Sequence, residues 1–393
     1  MKISTAAASA ADTHSAITDA ISAMGDIAPG FVVAHLAAGH DAEIARAAIR
    51  AAWGDDVVIH GGTSCLGVMT GAGACITDGQ GLGLAAFQDE DGDFGVGLAD
   101  LGDAPRAAAA AAARKALQDA GRVGEAPDLI WLTAAPGAEE AVIAGIEDVV
   151  GKECQIVGGS AADNSIAGDW FVFDGASRSG HGVVISMLFP SGASATAYQS
   201  GYAPTNHFGV ATRTEGRRVY EINDRPAREV YAEWTNGSVC AHTPAEPAAI
   251  LADSTFAPLG RKGGDVADVP FYLLVHPSTA HPDDSLELFA DIDQGEELRL
   301  MSGGVESLTS RAGRVAAQAL EQTDGQVAGA LVVYCGGCML AVQDHMDLVA
   351  EGVDRALGGA PFLGVFTFGE QGPVLNCNNR HGNLMISCVT FAS

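Results

Sequence analysis

Four short stretches carry residue types that could do chemistry. The last of them, Phe362 to Cys388, reads FLGVFTFGEQGPVLNCNNRHGNLMISC. Two apolar runs enclose Glu370, His381, Asn379 and Asn383. A carboxylate that follows Gly369 as a strand leaves the core suits an amino group or a guanidinium, with Arg311 and Arg380 as candidate partners. His381 could donate, accept or ligate a metal or haem iron; it could equally be a satisfied structural histidine. The first stretch, HGGTSCLG, ends a strand at Gly61 and Gly62. Its backbone N–H groups and the Thr63 and Ser64 hydroxyls could hold an anionic or carbonyl group. Cys65 beside them is either an activated nucleophile or an inert buried thiol. The second, GGSAADN, repeats the pattern with Gly159, Ser160, Asp163 and Asn164. It reads as a ligand loop or as an Asx turn.

The remaining stretch, YCGGC, pairs Cys335 with Cys338. A second CxxC is absent from the sequence. Zinc would therefore need Cys377 and His381, or Cys388, to be brought to the pair by the fold. A Gly turn with two incidental thiols is the simpler reading, so no metal is assigned. His207 and His276 lie near aromatics and prolines, where either could be an axial ligand; without CxxCH any haem b would be noncovalent.

Composition narrows the function classes. The chain has 393 residues, long enough for two domains. A hydrophobic content of 48% with 18% charged residues is that of a globular protein. The net charge of −28 argues against nucleic acid and against anionic membrane surfaces. No stretch reaches the run of about 18 apolar residues that a membrane span needs. The N-terminus shows no secretory pattern, which leads us to expect a cytoplasmic protein with its eight cysteines mostly reduced.

The elements that must position these residues alternate. The helix-period stretch from Ala42 to Trp53, the Ala-rich stretch from Pro105 and the amphipathic stretch around Ser310 read as helices. QDEDG, after a glycine-rich run, reads as a hairpin turn. INDRP leads into an amphipathic helix, and Gly358 and Gly359 stop a later one. We therefore expect an α/β protein of two mixed-sheet domains with antiparallel hairpins, 1–210 and 211–393, possibly distant repeats of each other.

HGGTSCLGVMT, IVGGSAADN, RRVYEINDRPAREVY and FTFGEQGPV…RHGNLM together resemble, in order and spacing, the FIST family with its N-terminal and C-terminal domains. One departure is Val68, where family members often carry an acid after the glycine. The resemblance implies an intracellular sensory protein that binds a small polar metabolite and signals in trans to a partner such as a histidine kinase or cyclic-di-GMP enzyme. It also implies ligand contact for the first glycine loop and supports it for the last stretch around His381; with the second loop, Arg311, Glu370, Asn379 and Asn383 these make up the candidate ligand-binding residues. One subset of the family implies an alternative, a haem-based nitric-oxide sensor, with His381 the first choice of ligand. A third reading is a thiol enzyme with Cys65 or Cys335 as nucleophile and Glu370 or His381 as acid or base. No catalytic dyad is obvious, which favours a binding protein.

Overall fold

The computed structural model describes residues 1–266, 269–374 and 378–393. Its strands fall into three six-stranded sheets and one larger antiparallel sheet. The three small sheets are built by one recipe used three times. Unit one contributes β1 (Lys2–Ser9), α1 (Thr13–Ala23), β2 (Phe31–Leu36), α2 (Ala42–Trp53), β3 (Val58–Thr63), a hairpin of β4 (Val68–Thr70) and β5 (Gly73–Cys75), and β6 (Gly81–Gln88). Unit two repeats the series with β7 (Asp93–Asp100), α3 (Pro105–Asp119), β8 (Leu129–Ala134), α4 (Glu139–Val150) and β9 (Ile156–Ser160). Its hairpin is β10 (Val172–Asp174) and β11 (Arg178–Ser179), and it closes with β12 (Gly182–Phe189).

Unit three opens with β13 (Ser194–Ser200) and is then interrupted by residues 203–302, which form the larger sheet. That insert holds β14 (Ala203–Glu215), β15 (Arg218–Ile222), β16 (Arg225–Pro226), α5 (Ala227–Trp234), β17 (Ala248–Ala249) and α6 (Leu251–Ser254). It continues through β18 (Leu259–Val266), β19 (Val269–Val275), β20 (Pro277–Ala280), β21 (Leu286–Leu288) and β22 (Glu297–Ser302). The unit resumes with α7 (Val305–Glu321), β23 (Val327–Cys335), α8 (Gly336–Ala341), α9 (Met346–Ala356) and β24 (Phe362–Thr367). It ends with the hairpin of β25 (Glu370–Val374) and β26 (Asn378–Gly382), and with β27 (Met385–Ala392).

Each unit's hairpin leaves its own sheet and extends a neighbour's. β4 pairs with β24, β10 with β3, and β25 with β9. The exchange is cyclic: one to three, two to one, three to two. Each sheet keeps one parallel pair, β2 with β3, β8 with β9 and β23 with β24, and is otherwise antiparallel. This is the expected mixed α/β class, but the repetition is threefold. Residue 210 lies inside β14, and strands from both sides of it share two of the three small sheets. The hairpin expected across QDEDG does not form. A turn is present, but β6 and β7 leave it for different sheets, because each must reach the apolar face of its own unit.

Local sequence explains the elements. Asp41 caps α2 by accepting from the Glu43 N–H at 2.7 Å, and Gly54 ends the helix with φ 98°. Pro105 opens α3, where its missing N–H costs nothing. Asn223 and Asp224 adopt positive φ in the turn before α5. Inner strand faces of the three small sheets meet in one apolar centre and together make a three-sheet barrel, where Phe31, Phe87, Trp131, Leu331, Leu363 and Phe391 come from all three sheets. Each such side chain contributes about 1.5–3 kcal/mol. Helices cover the outer faces, and the insert has its own core around Tyr231.

A candidate ligand cavity between the barrel and the inserted sheet

The ends of β3, β9 and β24 converge. The Cys65 N–H donates to the Phe366 carbonyl at 3.0 Å, that of Ala162 to Thr63 at 3.1 Å, and that of Phe368 to Ser160 at 3.0 Å. The glycine loops therefore meet one another directly. Gly61 lies under the Phe173 ring, where a Cβ would stand 2.1 Å from it, and Gly62 abuts Thr133 at 2.7 Å on the same measure. Gly159 abuts Thr367 in the same way. These glycines serve close packing between sheets.

The hydroxyls and amides of the loops are also engaged. Thr63 exchanges bonds with the Phe171 backbone, and the Ser64 hydroxyl accepts from the Phe366 N–H at 2.8 Å. Asn164 accepts from the Leu66 N–H at 2.9 Å and donates to the Gly79 carbonyl at 3.0 Å. Asp163 accepts from five successive N–H groups, residues 165–169. Burial alone would raise its carboxyl, but these donors outweigh that and hold it below the ordinary range. Asp163 thus shapes the loop that carries Ile166 and Trp170. Asp163→Ala is expected to lower stability by about 2–4 kcal/mol, read as a fall in the urea midpoint.

The C-terminal candidates divide between two places. Glu370 is buried, accepts from the Thr367 hydroxyl and the Met385 N–H at 2.9 Å each, and has its carboxyl pushed well up by burial and the neighbouring Cys335. Neither arginine considered for it is its partner: Arg311 donates to Gln199 and Arg380 to the Asn379 carbonyl. Asn379 ties β26 to Ile156 and Cys154. His381 sits with Nδ1 3.2 Å from Gln371 and Nε2 3.1 Å from the Phe289 carbonyl. His207 stacks on Trp234, away from both.

Beside the hub lies a cavity of about 100 Å³. Barrel and insert share its wall. From the barrel come Glu139 at the start of α4, Ile166, Trp170, Cys335, Gly337, Leu340, Phe368 and Gly369. From the insert come Arg217, Leu251, His276 and Phe289, and Asn383 stands at the seam. Asn383 accepts from the His276 N–H at 3.1 Å. His276 is driven down to about 4 by burial, only partly offset by its bond to Leu251, so it is neutral at physiological pH.

Glu139 links the hub to the cavity. It accepts from Ser160 Oγ at 2.8 Å, from the Gly137 N–H at 3.1 Å with each oxygen, and from Arg217 Nη2 at 2.6 Å. Burial pushes its carboxyl up, but His381 and Arg217 outweigh burial and keep it ionised. Arg217 also reaches Glu140 at 3.1 Å and Asp291 at 3.5 Å.

Of the sequence candidates, Asn383, Cys335 and His276 face the cavity, His276 with its Nε2 engaged by Ser254 and the Leu251 carbonyl, while Ser160 and His381 stand behind Glu139 and Gly369. Glu139, Arg217, Trp170, Phe368 and Phe289 escaped the sequence reading. The signals were there: an acidic pair opening a helix after PGA, and an arginine pair opening β15. Among the described residues no group of three or more His, Cys, Asp or Glu could hold a metal ion; Cys377 lies outside them. Cys65 is buried, and burial together with Asp163 and Cys335 pushes its thiol up to about 12. It is expected to stay unlabelled by iodoacetamide at neutral pH in the folded protein. Labelling faster than that of half-buried Cys75 would contradict this.

Haem does not fit at His381. Both ring nitrogens face protein groups, and the histidine is walled from the cavity by Gly369. No helix of the described residues is long and apolar enough to cross a membrane.

Comparison with known proteins agrees with the motif reading. Uncharacterized proteins of Mycobacterium bovis and Mycobacterium tuberculosis are each 27% identical over 242 residues, 58% of this chain and 58% of their own length. The chain thus spans about three-fifths of the curated relatives it matches. A cyanuric acid hydrolase from A. caulinodans aligns over 100% of this chain and 99% of its own at 11% identity, with a TM-score of 0.38. A phosphoribosylformylglycinamidine synthase II of Thermotoga maritima aligns over 78% and 73% at 9% identity, with a TM-score of 0.24. Likenesses that low say nothing of this chain's function. The model of the FIST N domain matches residues 30–225 and that of the FIST C domain residues 227–373. The chain belongs to the FIST family, whose domains are sensory modules associated with signalling.

Proposed function

We propose that the chain is a small-ligand sensor whose ligand sits in the cavity between the barrel and the inserted sheet, and that a partner protein reads how firmly the insert is docked. The observation that carries this reading is the composition of the cavity wall. Polar groups converge from both bodies, Glu139 and Cys335 from one and Arg217 from the other, on a lining otherwise apolar and aromatic. A ligand there touches both bodies at once. It stabilises the docked arrangement by its differential affinity for that state.

No enzyme reaction is assigned. Cys65 and Cys335 are buried thiols with raised pKa values, and Glu370 is a buried acid whose carboxyl is pushed well up by burial. Haem is not part of the reading, for the reasons of fit given above. The partner is a protein of the signalling type that the family serves.

The test is extraction and mass spectrometry of small molecules retained by the native protein, with an absorption spectrum of the same sample. A retained compound is expected in the wild type and lost in Leu340→Trp, which fills the cavity mouth. A Soret band that disappears in His381→Ala would overturn the reading in favour of haem.

A further inference from the structure

We propose that the cavity takes a small organic ammonium: a compact apolar body about the size of one six-membered ring, carrying a single positive charge. This rests on the sensor reading above and names its ligand class. Three features of the wall select it.

The first is size. The cavity holds about 100 Å³. An apolar cavity of about 150 Å³ accommodates benzene. This space is smaller than that, so an apolar body of no more than one ring fits within it.

The second is charge. At the polar end Arg217 meets Glu139, Glu140 and Asp291, and Arg261 meets Glu296 at 3.8 Å. Two arginines face four carboxylates; the His381 ring behind Glu139 offsets part of this, and a net negative charge remains. Arg217 is already committed to carboxylates: Nη2 serves Glu139 and Glu140, and Nε faces Asp291. An anionic ligand would meet the surplus unpaired, whereas a cation completes it. His276 is neutral and adds no positive charge.

The third is the set of rings. Trp170 and Phe368 stand edge to face, with centroids 6.2 Å apart, and Phe289 closes the opposite wall from the insert. Aromatic faces beside excess carboxylate attract an alkylammonium through the ring quadrupole as well as through charge. The chain's net charge of −28 adds a long-range bias of the same sign.

Three nearly isosteric probes separate the possibilities: benzylammonium, benzyl alcohol and benzoate, titrated calorimetrically into the full chain at fixed pH and ionic strength. Benzylammonium is expected to bind at least about tenfold more tightly than benzyl alcohol, with benzoate undetected. The preference over the alcohol should shrink in Glu140→Gln/Asp291→Asn, whose parent side chains are partly exposed, so that the chain keeps its fold when they are neutralised. All binding should vanish in Leu340→Trp. Equal or tighter binding of the alcohol or benzoate, still lost in Leu340→Trp, overturns the ammonium assignment and leaves the sensor cavity standing. Absence of binding by all three probes overturns both.

Discussion

Arg217→Met is expected to cost about 3–5 kcal/mol of stability at neutral pH, the largest effect of any single change at the cavity. The reason is the buried carboxylate left behind. Glu139 is 2% exposed, and Arg217 is the cation that reaches it, at 2.6 Å. The Ser160 hydroxyl and Gly137 N–H remain but do not neutralise a charge, and His381 is left as the other group that favours the ionised carboxyl. The pH dependence follows. In the wild type Glu139 titrates below its ordinary range, so its contribution is present above that range and fades as acid protonates it. In the variant only His381 still opposes burial, and the carboxyl moves up from its wild-type position. The deficit is therefore greatest at neutral pH and shrinks towards pH 4. Paired urea melts at several pH values measure it. A deficit that is flat with pH would show that Glu139 does not depend on Arg217.

The second large effect is acid loss of stability from histidines inside the barrel. His35 is 1% exposed, neither ring nitrogen has a protein partner, and burial drives it down to about 3. His60 beside it is also buried and lowered, by burial first and His35 second, although Ser186 and Thr133 satisfy its nitrogens at 2.8 and 2.9 Å. The unfolded chain takes up protons at these rings near pH 6.5, and the folded chain does not until far lower. Stability from His35 is thus intact above pH 6.5. It falls by about 1.4 kcal/mol per unit as pH drops towards the folded value of about 3. His35→Leu removes this term and two unpaired buried atoms. The variant should be about 1 kcal/mol more stable at pH 7.5, with an advantage about 2–3 kcal/mol larger at pH 4.5. Thermal melts at the two pH values decide it; an equal difference at both would contradict the account.

The class of fold was legible because periodicity and glycine punctuation are local. Asp41, Pro105 and the Asn223–Asp224 turn each announce their element within a few residues. The threefold plan was hidden for two reasons. Each unit lends its hairpin to a neighbour's sheet, so strands adjacent in sequence, such as β6 and β7, are not partners. Residues 203–302 also interrupt the third unit, which breaks its spacing against the other two.

The wall of the candidate cavity was only partly legible. The glycine loops do converge, as their residue types suggest, but backbone-to-backbone bonds from Cys65, Ala162 and Phe368 fill the point of convergence. Asp163 and Asn164 turn out to hold loops, because short polar side chains find nearby N–H groups before they find a ligand. Glu139 and Arg217 lie 78 residues apart in sequence and belong to different bodies, so no local pattern joins them.

The central claim is that occupancy of the cavity joins the inserted sheet to the barrel, and hydrogen–deuterium exchange with and without saturating benzylammonium tests it most directly. Protection should rise across the insert segments that wall the cavity, Leu251–Ser254 and His276–Phe289, and stay unchanged in α1 and α2, which lie on the far unit. Exchange that is unaltered in the insert while calorimetry reports binding, or protection confined to α1 and α2, would contradict it.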